Sequence, residues 1–243
     1  MERLLVVGTP REGRKKALTP AQVKARYRRK KKVVAMLVRR DVVLTERAEG
    51  TAKAKAKLET NTKLYSLLLC DPPWHTRLRS PAGMSRSPDV KHYPTMTLDA
   101  LVAMAPLIPA AKDSLMFMWT TSTHLAESMR LLEAWGFEYI GFEVWDKQII
   151  GKGNRNRLQA ELVLIGKKDN GLPAPIPSRR EPNFFSIRRS TKPGEHSVKP
   201  REYVERLDRL YPGVPRVEMF AREHPGKGWD TWGNEAADLA ANR

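Results

Sequence analysis

The sequence predicts an α/β fold in which helices pack on a mostly parallel sheet, and two observations carry that prediction. From residue 63 onward, short apolar runs alternate with amphipathic stretches of helical length, the pattern of strands joined by crossover helices. The first of those runs, "KLYSLLLC" (63–70), stops abruptly on Asp71-Pro72-Pro73-Trp74. The prolines cannot extend a ladder, and the carboxylate must stay wet or paired. Polar chemistry is thereby placed at the carboxyl end of a buried strand, where open α/β sheets bind their ligands.

Each element follows from its own residues. "KLYSLLLC" is continuously apolar and reads as a strand buried on both faces. Residues 72–96 are rich in Pro, Ser, Arg and Gly and predict a long loop, which in an ordered domain usually serves a site. "TLDALVAMAPLI" (97–108) reads as a helix capped by Thr97, and "SLMFMW" (114–119) as a second buried strand. "STHLAESMRLLEAWG" (122–136) is an amphipathic helix closed by Gly136, followed by the strand "FEYIGFEVW" (137–145). A basic, Gly/Asn-rich loop precedes the strand "AELVLIGKK" (160–168), and a proline-rich connection leads to a short strand "FFSIRRS" (184–190). "KPREYVERLDRLYPG" (199–213) is a helix with Pro200 near its start and Gly213 after it, and "PRVEMFAR" (215–222) is the last predicted strand.

Composition bounds the function. The 243 residues suit one large domain or one domain with an extension. No apolar window approaches the ~20 residues of a membrane helix, the N-terminus is charged too early for a signal peptide, and one cysteine excludes an internal disulfide. No Cys/His spacing of the zinc-binding kind occurs. These features predict a soluble cytoplasmic protein without membrane or metal. The net charge of +17 is uneven: residues 1–63 hold 19 Lys/Arg against 6 Asp/Glu, and the remaining 180 hold 25 against 21. A domain boundary near residue 62 therefore separates a basic N-terminal arm (1–62) from a nearly neutral body (63–243), and the arm is expected to favour a polyanion such as nucleic acid. Within the arm, Thr19-Pro20-Ala21-Gln22 supplies a cap, a first-turn proline and a capping-box glutamine for a helix running to about Arg40. Residues 48–62 read as a linker or marginal helix.

The acceptor turn suggests a chemistry. Pro72 and Pro73 stiffen the backbone and surrender both N–H groups, while Asp71 and the carbonyls remain to accept hydrogen bonds and Trp74 adds a flat aromatic surface. This complements a planar ring bearing an amino group, such as adenine or cytosine. Two acceptors on such an amine would turn its lone pair outward and stabilise the positive charge of attack. A methyl on a sulfonium is the natural electrophile.

On these residues the sequence resembles the MT-A70-like adenine N6-methyltransferases over about residues 64–235, through "DPPW" (71–74), "HYPTM" (92–96), "LMFMW" (115–119), "LLEAWGF" (131–137), "AELVLIG" (160–166), "HSVKPREYVERL" (196–207), "VEMFAR" (217–222) and "GWDTWGNE" (228–235). The resemblance implies a Rossmann-like methyltransferase that uses S-adenosyl-L-methionine and is circularly permuted, its catalytic motif preceding the donor-binding strand. It implies catalytic roles for Asp71, Pro72, Pro73 and Trp74, with Asp71 also near the donor's amino group. His92 and Tyr93 would lie in a loop over the target base. Arg222 and His224 would hold the donor's ribose, and Asn234 and Glu235 its adenosine. Some relatives place a lysine near the methionine carboxylate where this chain has Ala160 beside Glu161. An acid that helps hold adenine before the motif in the messenger-RNA enzymes has no equivalent in "AKAKAKLETNT". The compact form with a basic arm looks like the phage and bacterial members and implies DNA as substrate, in the host cytoplasm if phage-encoded. RNA methylation or a catalytically silent subunit is the rival, and a homodimer or a heterodimer with a paralogue is a further implication.

The other marked residues divide between packing and contact. Cys70, Trp119, Trp135 and Trp145 end apolar segments and are expected in the core. Trp229 and Trp232 flank Asp230 in a Gly-rich turn, where either could border the donor pocket. His196 could begin a helix or touch substrate. "IIGKGNRN" reads as a nucleic-acid loop, so Arg155 and Arg157, together with Arg179, Arg180, Arg188, Arg189 and Lys192, are expected to meet phosphates.

Overall fold

The computed structural model describes residues 18–31, 34–35, 52, 56, 59–74, 95–151, 156–190, 198–221 and 224–232. The chain divides into two compact units, Met1–Val43 and Leu44–Arg243. In the first unit, residues 20–31 form helix α1, and residues 34–35 are helical as well. The expected capping box is formed: the Gln22 N–H donates to Thr19 Oγ1 at 3.3 Å and the Thr19 N–H to Gln22 Oε1 at 2.8 Å. The described side chains of α1 are exposed along its whole length. The rest of the expected helix, to Arg40, lies outside the described residues.

The second unit is built on a seven-stranded mixed sheet. Its strands are β1 (Tyr65–Cys70), β2 (Ala110–Thr120), β3 (Glu138–Asp146), β4 (Ala160–Lys168), β5 (Phe184–Ser186), β6 (Arg216–Met219) and β7 (Trp229–Trp232). Their spatial order is β5-β3-β4-β2-β1-β6-β7. Only β4 runs against the others, pairing antiparallel with both β2 and β3. The reason lies in the connection: the described residues between β3 and β4 form no helix, which permits an antiparallel neighbour, whereas parallel neighbours need a crossover.

Helices cover both faces. α2 (Leu98–Val102) and α3 (Leu125–Ala134) lie on one side, with Leu101, Leu131, Leu132 and Trp135 packed against Leu68, Cys70, Met116 and Met118. α4 (Arg201–Leu210) lies on the other, with Tyr203 and Leu207 against Leu67, Leu69, Trp119 and Trp145. The leucines of β1 thus alternate between two cores and are almost wholly buried. Each contributes roughly 1.5–3 kcal/mol, so the turn after β1 has a rigid root. Cys70 is a buried core residue as expected, its thiol pushed up first by burial and then by nearby Asp71 and Glu218.

Several boundaries differ from expectation. β2 begins at Ala110, upstream of the expected start at 114. The helix expected over 97–108 ends at Val102 and resumes as a 3-10 turn, Ala105–Leu107, because Pro106 removes a donor. The stretch taken for a Gly-rich turn at Trp229–Trp232 is strand β7, parallel to β6. Trp229 and Trp232 are three residues apart, so they enter opposite cores.

The start of α4 is set by a buried polar cluster. Arg206 Nη2 donates to Glu143 Oε1 at 3.0 Å and to the Pro182 carbonyl at 2.7 Å, and the Tyr203 hydroxyl donates to Glu143 Oε2 at 2.7 Å. Burial, then the Glu143 carboxylate, pushes the Tyr203 hydroxyl far up. These bonds fix the register of α4 against β3, and with it the position of the Lys199-Pro200 step that precedes the helix.

Candidate active site

The acceptor turn is stiff and tied on both sides. The Asp71 N–H donates to the Met219 carbonyl of β6 at 3.4 Å, the Trp74 N–H to the Pro72 carbonyl at 2.8 Å, and the Met96 N–H to the Pro73 carbonyl at 2.8 Å. The two proline carbonyls, expected to be free, therefore each carry one partner; with two lone pairs apiece, each keeps one to offer. Trp74 is half-buried. Its indole N–H reaches the Trp119 carbonyl at 3.4 Å, and its ring stacks on His124 at 5.6 Å and 12°. One aromatic face of Trp74 is thus already occupied.

Beside the turn stands an alternating row of charges. Lys199 Nζ lies 2.8 Å from Asp71 Oδ2 and 3.5 Å from Glu161 Oε2, and Lys147 Nζ lies 3.1 Å from Glu161 Oε1. Lys199 also sits 5.5 Å from the centroid of the Trp119 ring. Burial pushes the Glu161 carboxyl up, but the ammonium groups of Lys199 and then Lys147 outweigh it and hold the group below its ordinary value. Glu161 is therefore a carboxylate at neutral pH.

Asp71 and Lys199 line an open cleft together with Trp119, Glu218, Phe220 and His224. The buried indole N–H of Trp119 finds no acceptor among the described residues. His224 Nδ1 accepts from the Gly226 N–H at 3.2 Å. Phe220, directly after β6, has φ +59°, a left-handed conformation unfavourable for a bulky side chain and of the kind found at ligand sites. Its ring packs at 4.6 Å on Trp232.

Of the expected residues the structure places Asp71 and His224 in this cleft, with Pro72, Pro73 and Trp74 in the turn that follows Asp71. Arg157, Arg179, Arg180 and Arg188 are exposed and Arg189 half-buried, and the Arg157 side chain donates to the Gly151 carbonyl at 2.8 Å. Among the described residues none of these arginines lines the cleft. Trp229 is turned away, its N–H donating to Asp208 Oδ1 at 2.9 Å. His92, Tyr93, Arg155, Lys192, His196, Arg222, Asn234 and Glu235 lie outside the described residues. Sequence reasoning missed Lys199, Glu161 and Glu218. Two of them left a signal: Glu161 is a charge inside an apolar strand, and Lys199 is a cation at a helix start, where the helix dipole disfavours it unless anions stand nearby.

An acid-bearing turn at the end of a core strand, a lysine between two carboxylates and a cleft bordered by the 224–225 segment form one constellation. The MT-A70 family model matches residues 65–235, from the first strand to just beyond the last. The chain belongs to the MT-A70 family. As a member it is an adenine N6-methyltransferase. It is 33% identical over 192 residues to the type II methyltransferase M.MunI of Mycoplasma sp, a match covering 72% of this chain and 79% of that one. It is 28% identical over 181 residues to the N(6)-adenosine-methyltransferase MT-A70-like protein of Drosophila melanogaster, covering 70% of this chain and 27% of the relative. It is 27% identical over 187 residues to the human N(6)-adenosine-methyltransferase catalytic subunit METTL3, covering 70% and 28%. The chain thus spans about a quarter of the length of the eukaryotic relatives. Among the described residues no helix is long and apolar enough to cross a membrane.

Proposed function

We propose that this MT-A70 protein transfers the methyl group of S-adenosyl-L-methionine to the N6 amine of adenine in DNA. The observation that carries the reading is that Asp71, at the end of β1, shares one cleft with Lys199, Glu218 and His224. The cleft suits the donor's functional groups. Asp71 and Glu218 match an ammonium and a ribose diol, while Lys199 matches a carboxylate. Lysine at this place comes from the start of α4 and not from the strand position held by Ala160. When bound, S-adenosylmethionine supplies an electrophilic methyl on a sulfonium. Asp71 and the open lone pair of the Pro72 carbonyl accept the two N–H groups of N6, which aims the nitrogen lone pair away from the turn. The same acceptors stabilise the charge that develops on nitrogen, and the proton leaves after transfer without a dedicated base. His92 and Tyr93 over the base, Arg222, Asn234 and Glu235 around the donor, and Arg155, Arg157, Arg188 and Arg189 along the phosphates complete the proposal.

The strand order supports a circular permutation: β6, next to β1 in the sheet, follows it in sequence. The basic segment 1–62, with six Lys/Arg in residues 20–31, serves as an arm for the polyanion. DNA is preferred because the relative matched over most of both chains is a type II methyltransferase, the class that modifies DNA. RNA is the second reading, carried by the N(6)-adenosine-methyltransferases among the relatives. Assembly as a homodimer, or with a paralogue, belongs to the same proposal. Transfer of labelled methyl to DNA and RNA oligonucleotides of equal sequence tests it. N6-methyladenine in DNA is the expected product; label on RNA alone would move the reading to RNA, and label on neither would make the chain a silent subunit.

A further inference from the structure

We propose that His124 is a positioning residue for methyl transfer: its imidazole fixes the indole plane of Trp74 and, through it, the carbonyls of the acceptor turn. The proposal rests on the reading that this turn holds the target amine. β1 and β2 are parallel neighbours, so the segment Thr121–His124 after β2 lies at the same sheet edge as Asp71–Trp74 after β1. His124 stands at the N-cap of α3, yet its side chain makes no capping bond. Ser, Thr, Asp or Asn would serve that position better, so helix stability does not account for a histidine there.

What the ring does is stack on Trp74, with centroids 5.6 Å apart and planes 12° apart. Its orientation is fixed from behind, because the hydroxyls of Thr121 and Thr123 lie 3.0 and 3.2 Å from Nδ1 and 2.8 Å from each other. Its backbone is held as well: the His124 carbonyl accepts from both the N–H and the hydroxyl of Ser128, each at 2.8 Å. Among the described residues the Trp74 ring otherwise has its packing on the core beneath α2 and α3, which does not set its plane by a directed bond, and a 3.4 Å bond to the Trp119 carbonyl, longer than a strong hydrogen bond. The Trp74 N–H bonds the Pro72 carbonyl, and the peptide before it carries the Pro73 carbonyl bonded to Met96. The ring and this peptide share the Trp74 Cα as anchor, so an indole held in place limits how far the peptide that carries both bonds can shift.

Three variants separate positioning from stability. His124→Asn supplies a good helix cap without a ring, His124→Phe supplies a ring without the hydroxyl bonds, and His124→Ala supplies neither. We expect kcat on adenine-containing DNA to fall about 10- to 100-fold in the Asn and Ala variants and to stay within about threefold of wild type in the Phe variant, by the same argument from geometry. The Asn variant should fall although its Tm equals or exceeds that of wild type, and affinity for S-adenosylhomocysteine should hardly change. In protein labelled with 5-fluorotryptophan, the Trp74 resonance, assigned with Trp74→Phe, should shift and broaden in Asn and Ala but not in Phe. An Asn variant as active as wild type, a Phe variant as impaired as Ala, or an unmoved Trp74 resonance in Ala would overturn the inference. If wild type methylates no adenine in any polymer, the reading of the turn fails, and the fluorine spectra still decide whether His124 holds Trp74.

Discussion

Replacing Lys199 with methionine tests the charge arrangement at the cleft. The ammonium stands 2.8 Å from Asp71 and 3.5 Å from Glu161, and the Lys199 and Glu161 side chains are only 16% and 14% exposed. An ion pair at 4 Å in an effective dielectric of 20 is worth about 4 kcal/mol before desolvation, and burial offsets much of that. Removing one partner of a buried pair costs about 3–5 kcal/mol. Here Glu161 keeps Lys147 at 3.1 Å, so a loss of about 2 kcal/mol at neutral pH follows. In a chain of this length that lowers Tm by about 4–8 °C. The pH dependence is the sharper readout. Burial pushes the Glu161 carboxyl up and Lys199 is the foremost influence pulling it down. A carboxyl lowered by folding adds stability above its unfolded pKa, here 4.5, and that stability disappears as pH falls through the lowered folded value. The methionine variant lacks most of the lowering, so its stability should fall less than wild type's in this acid range. Urea unfolding from neutral pH to about pH 3.5, a range that starts above and ends below the usual Glu pKa, should show the gap between the two proteins closing. A gap that stays constant with pH, or no loss at neutral pH, would refute the pairing.

Three further outcomes are expected. Asp71→Ala should lower kcat by about 10²–10³-fold, as for loss of a group that stabilises developing charge, while calorimetric affinity for S-adenosylhomocysteine falls much less; retained turnover would remove Asp71 from the acceptor role. Arg206→Met leaves the buried Glu143 carboxylate with the Tyr203 hydroxyl but without its cation, which should cost about 3–5 kcal/mol in urea unfolding, and adding Glu143→Gln should recover part of it. Deleting residues 1–62 should flatten the salt dependence of nucleic-acid binding, measured by fluorescence anisotropy, by about 0.9 in log-log slope for each duplex phosphate that the arm neutralises.

The parts of the fold legible in the sequence were those written in contiguous residues. "KLYSLLLC" and "AELVLIGKK" gave strands observed at Tyr65–Cys70 and Ala160–Lys168, since an unbroken apolar run suits a strand with a core on each side. Strand direction was less legible, because an apolar run does not encode it; the clue to the reversed β4 was the missing helix between β3 and β4. β7 was overlooked because four residues, Trp229–Trp232, carry too little pattern. The glycines before it do make a turn, Gly226 with φ +139° and Gly228 with φ +86°, so the turn lies ahead of Trp229 and not around Asp230 as expected. The acceptor turn was legible for the same local reason as β1: its acid and prolines are adjacent. Lys199 was not, because it meets Asp71 across 128 residues. That meeting depends on α4 being docked by Arg206 and Tyr203 on Glu143, an arrangement no single stretch of sequence displays.

The charge pattern then takes a meaning that composition alone lacks. On the proposed reading the donor is a sulfonium cation and the substrate a polyanion, so one chain would have to attract both without either excluding the other. The sequence separates the two tasks: the first 63 residues carry a net +13 of the total +17, where long-range attraction of phosphates is useful. At the cleft, Asp71, Glu161 and Glu218 stand against Lys147, Lys199 and Arg201, and Lys199 is shared between two of the acids. A cation brought into this balanced group meets carboxylates already held in place by lysines, so little reorganisation is needed when it binds. Lys199 stands between Asp71 and Glu161 and offsets their mutual repulsion. Removing Lys199 should therefore disturb the site more than its distance from the reacting nitrogen suggests, because on the proposed reading the Asp71 it holds is the group that faces the donor and the amine.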